Sequence, residues 1–194
     1  MNEYSFAMKS NAILDAALEL FEARSYGGTP VPQVAERAGV AVGTIYRYFP
    51  GKEGLVNALY RHWKRAFADA VFAAYDAGLE PAAAFDRLWA ALADFAVSHP
   101  VAFAFLETHS HGAYLDAESR ALTAAIDARL HDVISAWQDA GAVRNGDPTL
   151  LLAQVFGGFV GAVRELRGSG RGVPPEIGAM THDVAWAALS ATSI

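Results

Sequence analysis

The chain has 194 residues, a formal net charge of −6, 53% hydrophobic and 19% charged residues, a balance that excludes a disordered polymer. It has no cysteine, which excludes disulfides, thiolate metal sites and cysteine nucleophiles. The opening MNEYSFAMKS has no basic region followed by an apolar one, so no secretory signal is expected and a reducing cytoplasm is the expected compartment.

In chain order the periodicity is helical nearly throughout. Ile13, Leu14, Ala17, Leu18 and Phe21 form one apolar stripe, ended by Tyr26-Gly27-Gly28. A short helix is predicted over Val31 to Ala38, with Pro32 in its tolerant first turn and Gly39 after it. A second short helix runs from Val42 to Tyr48, stopped by Pro50-Gly51. A long helix follows from Lys52 to Tyr75, then one from Pro81 to His99, broken by Pro100, and another reaching Thr108. HSHGAYLD reads as a loop. Further helices are predicted from Ser119 to Ala140, from Asp147-Pro148 to Arg167, and from Glu176 to Thr192, the last two joined by GSGRGVPP. No alternating pattern of strands persists. The fold class is therefore all-α, about nine helices, with a three-helix head and a larger helical bundle.

Helix, short helix, glycine turn, short helix is the layout of a helix-turn-helix. At about 100° per residue, Ile45 and Phe49 share a face that joins Val34, Ala35, Val40 and the first stripe in a core. Gly43, Thr44 and Arg47 then point outward, flanked by the hydroxyls of Tyr46 and Tyr48. Charge agrees: residues 1–65 hold eight basic and six acidic residues, the remainder seven and fifteen, so a mildly basic head precedes an acidic body.

The stretch TPVPQVAERAGVAVGTIYRYFPGKEGLV resembles the DNA-binding segment of the TetR family of bacterial transcriptional regulators. Its marks are A-x-x-A-G-V through the second helix and turn, G-T-hydrophobic-Tyr in the third, then Phe and a small residue-Lys-Glu opening the fourth; the resemblance covers about residues 9–60. The resemblance implies a division into a DNA-binding domain, 1–51, and a ligand-binding and dimerisation domain, 52–194. It implies that Thr29 and Gln33 lie near the DNA backbone, that Val42, Gly43, Thr44 and Arg47 face the major groove, and that Tyr46, Tyr48 and Lys52 face phosphates. Arginine can read guanine bidentately, and threonine and valine can touch a thymine methyl. Tyrosine hydroxyls and lysine suit phosphate oxygens. This chain departs from the pattern at Ala41, where a Ser or Thr cap is usual, at Val42, where a basic residue is common, and at Pro30, also a usual capping position.

The aromatic-rich body reads mostly as core. The resemblance adds a pocket for a small apolar or aromatic effector, with Phe103, His109, Trp137 and Phe156 as candidates for its lining. His109 and His111 beside Asp116 and Glu118 suggest a metal, but loop histidines beside acids are more often surface residues, and no metal or cofactor is expected. The absence of any Glu-x-x-His, Gly-x-Ser-x-Gly or phosphate-binding glycine loop argues against an enzyme. The run TLLLAQVFGGFVGAV is interrupted by Gln154 and falls short of the ~18 residues of a membrane span, so no membrane partner is expected. A track of Ala153, Gly157 and Gly161, with Met180, Val184 and Ala188 on the last helix, points to close helix approach. The resemblance makes that approach a homodimer interface. The expected protein is a homodimeric repressor that binds a palindromic double-stranded DNA operator and is released by an effector. The alternatives are a regulator without a ligand and a helical metal-dependent enzyme.

Overall fold

The computed structural model describes residues 3–191, with side chains given for Phe6 and from Met8 onward. Nine α-helices and no strand occur among the described residues: α1 (Glu3–Arg24), α2 (Val31–Arg37), α3 (Val42–Tyr48), α4 (Gly51–Ala74), α5 (Pro81–Ser98), α6 (Pro100–Thr108), α7 (Ala117–Asp139), α8 (Pro148–Gly168) and α9 (Ile177–Leu189). Two boundaries differ from expectation by more than one residue. Helix α7 starts ahead of Ser119 because the Asp116 carboxylate accepts from the Ser119 amide at 2.7 Å, a side-chain cap set three residues before it. Helix α9 ends at Leu189, followed by Ser190 in an extended conformation; the predicted end at Thr192 lies outside the described residues.

Residues up to 65 and 101–121 form one compact unit, and 66–100 with the residues from 122 form a second. In the first unit, Ile13, Leu14, Ala17, Leu18 and Phe21 of α1 are buried together with Val34 and Ala35 of α2, Ile45 of α3, Phe49, and Leu55, Val56 and Leu59 of α4. Val40, expected in this core, is only half-buried. The turn between α2 and α3 is made at Gly39, whose φ of 65° a side chain would resist. Neither short helix has a side-chain cap: Pro30 precedes α2 and Ala41 precedes α3, both extended. Burial of one apolar face, rather than capping, must hold these two short helices in place.

The loop after α6 packs within the same unit. Asn57 of α4 is buried and donates to the carbonyls of Glu53, at 2.9 Å, and Tyr114, at 2.8 Å; its own oxygen accepts from the Asp116 amide and the Ser119 hydroxyl. Arg61 donates to Asp116 at 2.8 Å, and Lys64 pairs with Glu107 at 2.9 Å with little exposure of either side chain.

In the second unit α5 packs on α9. Gly178 permits the approach: a Cβ there would lie 2.8 Å from that of Ala93. The Trp89 indole donates to the Gly178 carbonyl at 3.1 Å, and a run of ring contacts links Phe159, Trp89, Phe85, Trp186 and Trp137. Helix α8 corrects one expectation. Its 21 residues, with a window of mean hydropathy 1.3, are long and apolar enough to cross a membrane, because the helix extends past the short run on both sides. Only 17% of that window is buried within the chain.

Candidate nucleic-acid interface

Helix α3 is amphipathic in the manner its sequence predicts. Ile45 is fully buried, whereas Val42, Gly43, Tyr46 and Arg47 are exposed, Tyr46 to 54%. Thr44 is half-buried, and its amide donates to the Ala41 carbonyl at 2.8 Å, replacing part of the missing cap. A Cβ at Gly43 would meet nothing within 4 Å, so this stretch of backbone is bare enough for another surface to reach it. The exposed face offers a guanidinium, a phenol and apolar methyls, the groups that hydrogen-bond and touch base edges.

Tyr48 behaves differently. Its ring stacks on Phe6 of α1 at 4.3 Å, and its hydroxyl, expected outward, is buried with no hydrogen-bond partner. The reason is that Phe6 of α1 covers this end of α3. The Arg47 guanidinium lies 5.6 Å from the same ring.

Of the residues placed near α2, Thr29 is fully buried and its hydroxyl donates inward to the carbonyls of Leu20 and Ser25, both at 3.0 Å. It braces the end of α1 from inside rather than from the exposed face. Gln33 is half-buried and accepts from Arg24 at 2.6 Å. On the far side of α2, Arg37 pairs with Glu19 of α1. Lys52, at the start of α4, holds its ammonium 4.3 Å from the centre of the Tyr26 ring. Tyr26 in turn stacks on Tyr114 at 4.5 Å. Burial lowers the Lys52 pKa; burial, then the charge of Glu53, raises that of Tyr26. Nothing in the sequence marks Arg24, Tyr26 or Tyr114 as part of this surface. No periodic pattern links 26, 52 and 114, so only the fold brings them together.

The remaining candidates fall as follows. Phe103 is fully buried and His109 half-buried in the first unit; Trp137 is buried and Phe156 half-buried in the second. His111 is not a surface residue: its ring nitrogens sit 2.6 Å from the Tyr114 hydroxyl and 2.6 Å from the Phe105 carbonyl. Burial chiefly lowers its pKa. Among the described residues no group of three or more His, Asp or Glu is placed to hold a metal ion. Ala153 and Gly157 are exposed and Gly161 is half-exposed; a Cβ at either glycine meets nothing within 4 Å. Met180 is 59% and Val184 75% exposed, and Ala188 is half-buried.

The family described as "Bacterial regulatory proteins, tetR family" matches residues 13–59, and "Tetracyclin repressor-like, C-terminal domain" matches 61–191. The HTH-type transcriptional repressor KstR of Rhodococcus jostii is 54% identical over 54 residues, 27% of this chain and 26% of that protein. The fatty acid metabolism regulator protein of Bacillus subtilis is 43% identical over 49 residues, 25% of each. Each of these matches spans about a quarter of the curated relative's length. A tetR family transcription regulator of Shewanella sp. PV-4 superposes with a TM-score of 0.79 at 27% identity, covering 94% of this chain and 98% of that one. A second, from Marinobacter aquaeolei, superposes with a TM-score of 0.82 at 24% identity, covering 97% and 99%.

Proposed function

The chain belongs to the tetR family of bacterial regulatory proteins, and from that premise we propose that it is a homodimeric, cytoplasmic transcriptional repressor that binds a palindromic DNA operator. Residues 1–51 supply the DNA-binding part and 52–194 the effector and dimerisation part. The single observation that carries the reading is α3, which buries Ile45 and turns Val42, Gly43, Tyr46 and Arg47 outward. Val42, Gly43, Thr44 and Arg47 read the major groove. Tyr46 and Lys52 contact phosphates, Gln33 lies against the backbone held by Arg24, and Thr29 acts from within. For two such helices to enter successive major grooves they must stand about 34–36 Å apart, or a multiple of that.

The exposed apolar faces of α8 and α9 support the dimer over a membrane role. Gly157, Gly161, Met180 and Val184 form a surface that a second copy covers, and membership of a DNA-binding family gives a membrane span no purpose. An apolar or aromatic effector binds the aromatic interior of the second unit, with Trp137 and Phe156 in its walls, and favours a spacing of the recognition helices that does not fit the operator. Catalysis has no place in this reading.

The test is selection of duplexes from a random-sequence library, followed by gel-shift titration. Enrichment of an inverted repeat bound by a dimer is the expected result. Recovery of no sequence above background, or of a site without two-fold symmetry, refutes the operator reading.

A further inference from the structure

We propose that Tyr114, in the loop between α6 and α7, is a positioning residue for DNA binding: stacked on Tyr26, it holds that ring beneath the Lys52 ammonium and so fixes where this charge meets a phosphate. The inference rests on Lys52 as a phosphate contact. A lysine has a flexible four-carbon stem, so its charge is placed only if something else holds it. Here the holder is the face of Tyr26, 4.3 Å from the ammonium, an attraction between a cation and a ring quadrupole. Tyr26 follows α1 and would be an ordinary turn residue were its ring not also stacked on Tyr114 at 4.5 Å.

Tyr114 is itself fixed at both ends. Its hydroxyl lies 2.6 Å from Nδ1 of His111, whose Nε2 lies 2.6 Å from the Phe105 carbonyl at the end of α6. Its carbonyl accepts from Asn57 at 2.8 Å. Asn57 is buried and fully satisfied, and it belongs to α4, the helix that begins beside Lys52. The contacts therefore close a ring: α4 grips the loop, the loop supports Tyr26, and Tyr26 supports the lysine of α4. Two tyrosines that merely filled space would not need the second one tethered through both its backbone and its hydroxyl.

The experiment is a double-mutant cycle on the full chain, read as the salt dependence of binding to a mixed-sequence duplex, because phosphate contacts do not depend on sequence. Lys52→Ala should flatten the slope of log affinity against log salt by about 0.9 per subunit bound. Tyr114→Ala should flatten it equally, and the double variant should be no flatter than either. Tyr114→Phe, which keeps the ring and the Asn57 contact but loses the one to His111, should flatten it less than Tyr114→Ala does. A wild-type slope in Tyr114→Ala, or losses that add in the double variant, overturns the proposal; a purely structural tyrosine gives one of these. An unchanged slope in Lys52→Ala alone refutes the phosphate role of the lysine and the proposal with it. If Tyr114→Ala melts too low to be read, Tyr26→Leu replaces it with the same expectations.

Discussion

Arg47 and Tyr48 are neighbours in the sequence with opposite fates, and the difference is physical. A rotation of about 100° per residue places Ile45 and Phe49 inward and Arg47 outward, and this much follows from the order of residues alone. Tyr48 sits at the margin of that wheel, where the outcome depends on what α1 brings beside it; Phe6 covers it, and no local pattern announces that. Its hydroxyl is buried without a partner, which costs about 1–3 kcal/mol. Tyr48→Phe should therefore leave stability unchanged or raise it by up to that amount in thermal or urea unfolding. It should also leave DNA affinity unaltered; a loss of affinity on every duplex would mean that the hydroxyl swings out to a phosphate on binding, as its sequence position suggests. Arg47→Ala makes the contrasting case. If the guanidinium reads a base, affinity for the selected operator falls by about 1–3 kcal/mol and the preference at one base pair of each half-site relaxes, while binding to unrelated duplex changes far less. Equal losses on both duplexes would make Arg47 a phosphate contact instead. Thr29 teaches the same lesson as Tyr48: its place in a motif was visible, but the two carbonyls that claim its hydroxyl were not.

Helix boundaries were legible wherever proline or glycine set them. Pro32, Pro81, Pro100 and Pro148 stand in the first turns of α2, α5, α6 and α8, and Gly39 follows α2. Boundaries set by a side chain reaching back were harder, as at α7, where Asp116 caps from outside the predicted span. That cap makes a pH prediction. The Asp116 pKa is lowered from 3.8 to about 2, first by the Ser119 amide and then by hydrogen bonds from Arg61 and Ser119. A carboxylate whose folded pKa lies below its unfolded one contributes stability that is fully present above the unfolded value and is lost as pH falls through the folded one. The acid limb of wild-type stability should thus include a loss between pH 3.8 and about 2 that Asp116→Asn lacks, measured as melting temperature against pH. Parallel limbs in the two proteins would show the cap to be thermally irrelevant. The uncapped α3 predicts a gain. Ala41 already has the extended conformation of a cap, with φ −68° and ψ 146°, but no side-chain acceptor. Ala41→Ser should stabilise the chain by about 1 kcal/mol in urea unfolding. No gain would mean that the turn from Gly39 to Ala41 cannot direct a hydroxyl at the amides of α3.

At the scale of the whole molecule, the all-α class was legible because helical periodicity recurs in every segment. The packing of residues 101–121 with the N-terminal part was not, because the Asn57 network joins positions far apart in the chain and no periodicity encodes such a pairing. The small-residue track of α8 lies between these cases. Its spacing was visible, but whether it admits a neighbour within the chain or a second copy was open. In the structure a Cβ at Gly157 or Gly161 meets open space, so no element of the same chain needs these glycines to be bare. Glycine inside a helix costs about 1 kcal/mol relative to alanine, and in the proposed dimer the close approach of a second copy offsets that cost. Gly161→Arg separates the two effects by sign. Within one chain the substitution meets nothing and improves helix propensity, so each protomer should fold and its helical circular dichroism should persist. Across a two-fold interface the same arginine enters twice, opposite its own mate or beside Met180 and Val184, where it forces charge into an apolar contact. The sedimentation coefficient should drop from dimer to monomer at micromolar protein, and operator affinity should collapse although α3 is untouched, because one recognition helix alone reads one half-site. A Gly161→Arg variant that sediments as a dimer and binds the operator normally would place the interface elsewhere and leave the exposed face of α8 without a partner.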